Sequence, residues 1–124
     1  MKRCLCARLL ALSALLAACT AAAAAVPQDA PSLAGFEDAI HHWRSSHGED
    51  YPQYAAGEVD RIADNLLLYQ RADGGWLQNQ DPTRILGETE RAQIAAQAGD
   101  TGGSFDNRNI HTQVDYLAAA WAIR

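Results

Sequence analysis

The sequence predicts an all-α chain of about four helices. Apolar residues recur at i, i+3, i+4 and i+7 in separate segments, and glycine-rich breaks divide those segments. No stretch of useful length alternates apolar with polar residues, so no strand is expected. Ser32 is placed to cap the first helix, in which Phe36, Ala39, Ile40 and Trp43 form one stripe. That helix should stop near His47-Gly48. The segment 48–54 reads as a loop, because Pro52 disfavours helix at Tyr51. Its Tyr51, Pro52 and Tyr54 suit either the wall of a groove or a loop packed over the helices.

The second helix should begin near Gly57, with Glu58 and Asp60 in the first turn, where negative charge complements the helix dipole. Val59, Ile62, Ala63 and Leu66 make its apolar stripe, widened by Leu67 and Tyr69. Arg71 is expected in its last turn and Gly74-Gly75 at its end. Residues 80–87 are irregular. A shorter third helix is predicted over 88–98, stopped by Gly99. After a flexible loop over 100–104, a fourth helix starts around Asn109, with Val114, Leu117, Ala118 and Trp121 on its expected inner face. Its pattern stays helix-favouring to Arg124, which suggests a truncated reading frame or an incomplete domain.

The first residues read as a targeting signal rather than fold. Lys2, Arg3 and Arg8 precede an apolar stretch over 9–18 that is too short for a comfortable membrane span. Residues 1–18 are therefore assigned as a signal peptide, 19–31 as a tether, and 32–124 as the helical domain. Leu16-Ala17-Ala18-Cys19 has the form of a lipobox, giving a periplasmic or outer-membrane-anchored lipoprotein. Ordinary secretion, with cleavage within 21–25, is the alternative. Cys4, Cys6 and Cys19 all lie in this region, so no disulfide framework or cysteine-based metal site is expected beyond it.

The whole chain carries a net charge of −5; its leader holds three of the ten basic residues and none of the fifteen acidic ones, leaving −8 on the remainder. Such acidity argues against nucleic-acid binding, which depends on clustered Lys and Arg. It also means that cations must bridge the protein to any polyanionic partner.

Two blocks carry the functional reading. Ala63-Asp-Asn-Leu-Leu-Leu-Tyr-Gln-Arg71 leads to Gly74-Gly75-Trp76 and Asn79, and Ser104-Phe-Asp106-Asn107 leads to Thr112-Gln113 and Leu117-Ala118. Together with Glu88-Thr-Glu-Arg-Ala-Gln-Ile94, they resemble the N-terminal part of the catalytic domain of family 10 pectate lyases, in order and spacing, over about residues 57–118. The resemblance implies an (α/α) toroid, here incomplete, and calcium-assisted β-elimination of polygalacturonate. It implies that Asp106 and Asn107 contribute to the calcium and substrate site. The family's proton-abstracting arginine belongs to a later part of the domain, so no catalytic base is assigned here. Leu77-Gln78 stands where the family has Pro-Lys, and Arg108-Asn109 where it has Gly-Ala.

Each candidate also has a structural reading. Asp106 and Asn107 supply hard oxygen ligands of the kind calcium takes, or cap the helix that follows. Trp76 is a sugar-stacking platform or a core residue. The pattern Gln70-x-x-Asp73-Gly-Gly-Trp76 also resembles the turn motif of terpene-cyclase toroids, in which the Gln and Trp tie helices together. Asn79 would shape the cleft, and His111 lies about one turn beyond the Asp-Asn pair, within reach of a substrate. His41 and His42 point about 100° apart on a helix and form no shared ligand sphere. The rival reading is a non-catalytic helical lipoprotein that binds glycan or a protein partner.

Overall fold

The computed structural model describes residues 29–105 and 108–124, so the signal peptide, the lipobox, most of the tether and the Asp106-Asn107 pair lie outside the described residues. Four α-helices are present among the described residues: α1 (Glu37–His47), α2 (Val59–Tyr69), α3 (Glu88–Ala96) and α4 (His111–Ala122). A single 3-10 turn, Ala34–Phe36, leads into α1. No strand occurs among these residues, only isolated bridges at Gln53–Arg84, Gln70–Trp76 and Trp76–Ser104. The all-α class is as the periodicity predicted.

The core is built around α2, whose stripe of Val59, Ile62, Ala63 and Leu66 is buried against Phe36, Tyr116 and Ala120. Phe36 meets Tyr116 edge to face, with ring centroids 5.7 Å apart. A second cluster joins Tyr69, Trp76 and Leu86 beside it. Ser32 does not cap α1, whose N-cap is Phe36; its Oγ accepts the Ala34 N–H at 3.2 Å, at the entrance of the 3-10 turn. The packed chain includes Ala30, one residue before the end of the expected tether.

Helix α2 ends at Tyr69, short of the Arg71 and Gly74-Gly75 that the sequence placed in its last turn and at its end. Gln70 is extended (ψ 139°), and Arg71 leaves the helix to pair its N–H with the Gly75 carbonyl at 2.8 Å. The glycines therefore shape the following turn instead of stopping the helix. Gly74 adopts φ 85°, the left-handed conformation that glycine takes without steric cost. Freed from α2, the Arg71 guanidinium donates to the Gln97 carbonyl (2.7 Å) and Oε1 (3.0 Å), closing the C-terminal end of α3. That helix also stops early, at Ala96, because its end tightens into turns from Gln97 onward.

The irregular segment 80–87 is among the most buried parts of the molecule. Asp81 is fully buried and accepts from Tyr51 Oη (2.6 Å), Gln53 Nε2 (3.0 Å), Thr83 N (2.8 Å) and Thr83 Oγ1 (2.6 Å). Asn65, also fully buried on α2, donates to the Pro82 and Arg84 carbonyls. These bonds do for an irregular backbone what a ladder does for a strand, satisfying buried polar groups. The 48–54 loop packs on this segment, with Ile85 N–H donating to Pro52 O at 2.9 Å.

Helix α4 corrects the predicted inner face. It buries Gln113, Tyr116 and Ala120, whereas Val114 is 48% and Trp121 76% exposed. Leu117 is the one member of the expected stripe that packs inward, at the seam of both clusters. The inward face is displaced by about one residue, or roughly 100°. The reason is Phe36, which draws the tyrosine ring inward and carries the amide of Gln113 with it.

A cleft where the two blocks meet

Trp76 organises the site from below. Its ring is buried (3% exposed), and its indole N–H donates to Leu66 O at 2.7 Å. Leu66 is in the last turn of α2, where carbonyls lack an intrahelical partner, and Gln70 N–H turns to Leu67 O instead. The indole thus closes the end of the helix. Of the two readings of Trp76, this burial favours the core: no ring face is free for a sugar.

The backbone of Trp76 then fixes the surroundings. Its carbonyl accepts from Ser104 N (2.8 Å) and from Asn109 Nδ2 (2.7 Å). Asn109 Oδ1 in turn accepts from Gln113 Nε2 at 2.9 Å, and Gln78 Nε2 donates to Ser104 Oγ at 2.9 Å. This amide ladder ties the segment after the glycine turn to the entrance of α4, about thirty residues later in the chain. A further clasp holds the intervening loop: Asp73 Oδ2 accepts from Gly102 N (2.8 Å) and Gly103 N (2.9 Å). Those bonds, with one from Gly75, hold the Asp73 carboxyl below its ordinary pKa. Gly75 and Gly103 touch back to back; a Cβ on Gly103 would fall 2.6 Å from Gly75 Cα.

Above the ladder opens a cleft of about 510 Å³, between the start of α1 and the start of α4. Asp38 and His42 stand on the α1 side, Gln78 and Asn79 on the loop, and Arg108 and Gln113 on the α4 side. His42 Nε2 lies 3.7 Å from Asp38 Oδ1. Asn79 and Arg108 both adopt φ 60°, the two described non-glycine residues with positive φ. Left-handed backbone costs about 1–2 kcal/mol in a residue such as arginine, so holding it at one cleft needs support from the surroundings. Gln113 is 7% exposed, yet its Oε1 has no hydrogen-bond partner among the described residues. Buried side-chain oxygens are seldom left so.

The expected site residues therefore separate. Asn79 lines the cleft, Trp76 lies beneath it, and His111 lines a neighbouring cleft with Asp115 and Tyr116. Asp106 and Asn107 lie outside the described residues, between Phe105 and the cleft-lining Arg108. Sequence reasoning missed Asp38, read His42 only as sharing no ligand sphere with His41, and treated Gln78 and Arg108 only as departures from a motif. A signal was available for Gln113. It stands at i−3 and i−7 from Tyr116 and Ala120, so the inner face that buries those residues buries the amide too.

No family model, no curated protein and no solved structure matches the chain.

Proposed function

We propose that this cleft binds de-esterified polygalacturonate and serves calcium-assisted β-elimination, on the (α/α) toroid that the sequence resemblance implies. The observation that carries the reading is the pairing of Gln78 with Arg108 in one cleft. The resemblance has a lysine at the first position and a glycine at the second. The cation absent at Gln78 is thus restored, across the same cleft, by the Arg108 guanidinium. A guanidinium meets a planar carboxylate through two parallel N–H bonds, which suits a uronate. Asn79 and Gln113 offer amide groups for ring hydroxyls.

Calcium is compatible with the donors present. The partnerless Gln113 Oε1 is a carbonyl oxygen, Asp38 adds a carboxylate to the same cleft, and both are hard oxygen ligands. With Asp106 and Asn107, neighbours of Arg108 in the chain, they are the residues that would hold the ion. No group of three His, Cys, Asp or Glu side chains converges among the described residues, so amide oxygens and substrate must contribute. Calcium, when bound, supplies neutralisation of the uronate carboxylate and acidification of the adjacent C5 proton. In the elimination that proton passes to a base, a C4–C5 double bond forms, and the glycosidic oxygen leaves. An exported, lipid-anchored protein would meet such a polymer outside the cytoplasm.

One observation favours a second reading, in which the protein binds glycan without cleaving it. The side chains of the ladder are amides and a hydroxyl, which bind sugars but exchange no protons near neutral pH.

Native gel electrophoresis through polygalacturonate tests the binding common to both. The full chain is retarded in calcium by the de-esterified polymer and not by highly methyl-esterified pectin. Arg108→Gln, at an exposed position, removes most of the retardation. Equal migration with and without the polymer would contradict the proposal.

A further inference from the structure

Between the ends of α2 and α3 opens a space of about 260 Å³ that shares no lining residue with the cleft described above. Two guanidiniums line it, Arg71 and Arg84, against one carboxylate, Glu90. We propose that this space is a separate binding site for a small monocarboxylate with an apolar, ring-sized body, its carboxylate held by Arg71. The inference does not rest on the reading of the first cleft.

The two arginines differ in what already balances them. Arg84 Nη2 donates to Glu90 Oε1, and its guanidinium lies 3.8 Å from the centroid of the Trp43 ring. That ring is fixed in turn by stacking on His47, with centroids 3.8 Å apart. Glu90 is thus spent on Arg84. Arg71 is only 9% exposed, yet it has no ion pair among the described residues. Its two partners, the carbonyl and Oε1 of Gln97, are neutral, and they use one N–H of Nη1 and one of Nη2. A guanidinium carries five such donors, so others remain unspent.

Two nearby sources of negative charge do not close the account. The end of α3, which Arg71 caps, offers about half a charge at most. The buried Asp81 does not line the space, and its carboxylate is taken by Tyr51, Gln53 and Thr83. A nearly buried cation without a counter-ion is costly to hold. Here the local excess is positive, in a chain whose net charge is −5. One negative charge cancels it, whereas a dianion would overshoot and be repelled by Glu90. A carboxylate meets the guanidinium through parallel N–H bonds. Leu77, Ile94 and the ring of Tyr69 make the rest of the wall apolar. The volume falls below that of sites for drug-sized ligands, which suits a body of one ring.

The test is a chemical-shift titration of the full chain in chelator, with benzoate as the probe. Benzoate should move the Arg71 side-chain and Trp43 indole signals saturably. Benzamide, its uncharged counterpart, and acetate, which lacks the ring, should each bind about tenfold more weakly or worse. Arg71→Gln should lower benzoate affinity by about tenfold or more, because a charge-assisted bond is lost. Gln93→Glu changes an exposed residue of the same wall and supplies the missing negative charge in nearly the same shape. It should weaken benzoate severalfold, and it decides the question if the arginine variant does not fold. Galacturonate oligomers in calcium should leave benzoate affinity unchanged. No benzoate binding, equal binding of benzamide or acetate, or affinity unchanged in the folded variants overturns the site. So does preference for inorganic phosphate, which would make it a plain anion site. Displacement of benzoate by the oligomers would merge it with the first cleft and overturn it as a separate one.

Discussion

At the scale of single residues, side chains here stand in for absent backbone partners. Trp76 is the clearest case, since its indole closes the last turn of α2 while its ring fills the second core cluster. Trp76→Phe keeps much of the ring but orphans the Leu66 carbonyl, so we expect a loss of about 2 kcal/mol in chemical denaturation. An unchanged midpoint would show that the indole bond contributes nothing. Asp73 acts through charge. Its carboxyl is held low by the N–H groups of Gly102, Gly75 and Gly103. A depressed folded pKa gives stability that is fully present above the ordinary carboxylate value and lost as pH falls through the lowered one. The wild type should therefore lose more stability than Asp73→Asn on acidification below about pH 4, as read by circular dichroism. Parallel acid limbs would remove the clasp from the account. The sequence offered a buried, helix-tying Trp76 as one of two readings, but neither its indole bond nor the charge role of Asp73 was legible there. Periodicity does not report that an indole N–H reaches a carbonyl ten positions earlier.

At the scale of elements, the helices were legible and their ends and faces less so. The α2 stripe stands as expected, because Val59, Ile62, Ala63 and Leu66 all bury on one side. The end of α2 moved because Gln70 pairs with Trp76, a tertiary contact that overrides the helical preference of Gln and Arg. The inner face of α4 was misjudged because tryptophan and valine outweigh glutamine and alanine on any hydrophobicity count. Phe36 selects Tyr116 instead. This has a direct consequence: Trp121→Ser should change stability by no more than about 0.5 kcal/mol, whereas Tyr116→Ala should cost about 3–5 kcal/mol. A large loss from the Trp121 substitution would mean that the helix packs by its other face. The glycine-to-glycine contact makes a similarly local claim. Gly103→Ala must push apart the 73–75 turn and the 102–104 loop, lowering the melting temperature measurably where an open glycine such as Gly99 would tolerate the change. The irregular 80–87 segment was recognised as irregular, but its burial was not. That burial rests on Asp81 and Asn65, two polar residues that composition alone assigns to the surface.

At the scale of the whole molecule, the fold brings into one cleft the parts of two sequence blocks that lie about thirty residues apart. Asn79 from the first and Gln113 from the second face a common space, and Arg108 joins them. The resemblance named Asn79 as a site residue and quoted Gln113 within its motif. It gave no sign that Asp38 and His42 of α1 would complete the wall, since α1 lies outside the matched blocks. The chain's net charge of −5 sets a condition on any polyanionic ligand: approach must depend on cations, and most strongly on a divalent one. The most direct test of the central claim is the ultraviolet absorbance of unsaturated product formed from polygalacturonate by the full chain, with calcium and with chelator, alongside native-gel binding of the same samples. The account predicts calcium-dependent retention of the polymer that Arg108→Gln and Asp106→Ala both largely remove, with product formation following the same pattern if the cleft is catalytic. Retention that persists in chelator and in both variants would contradict it.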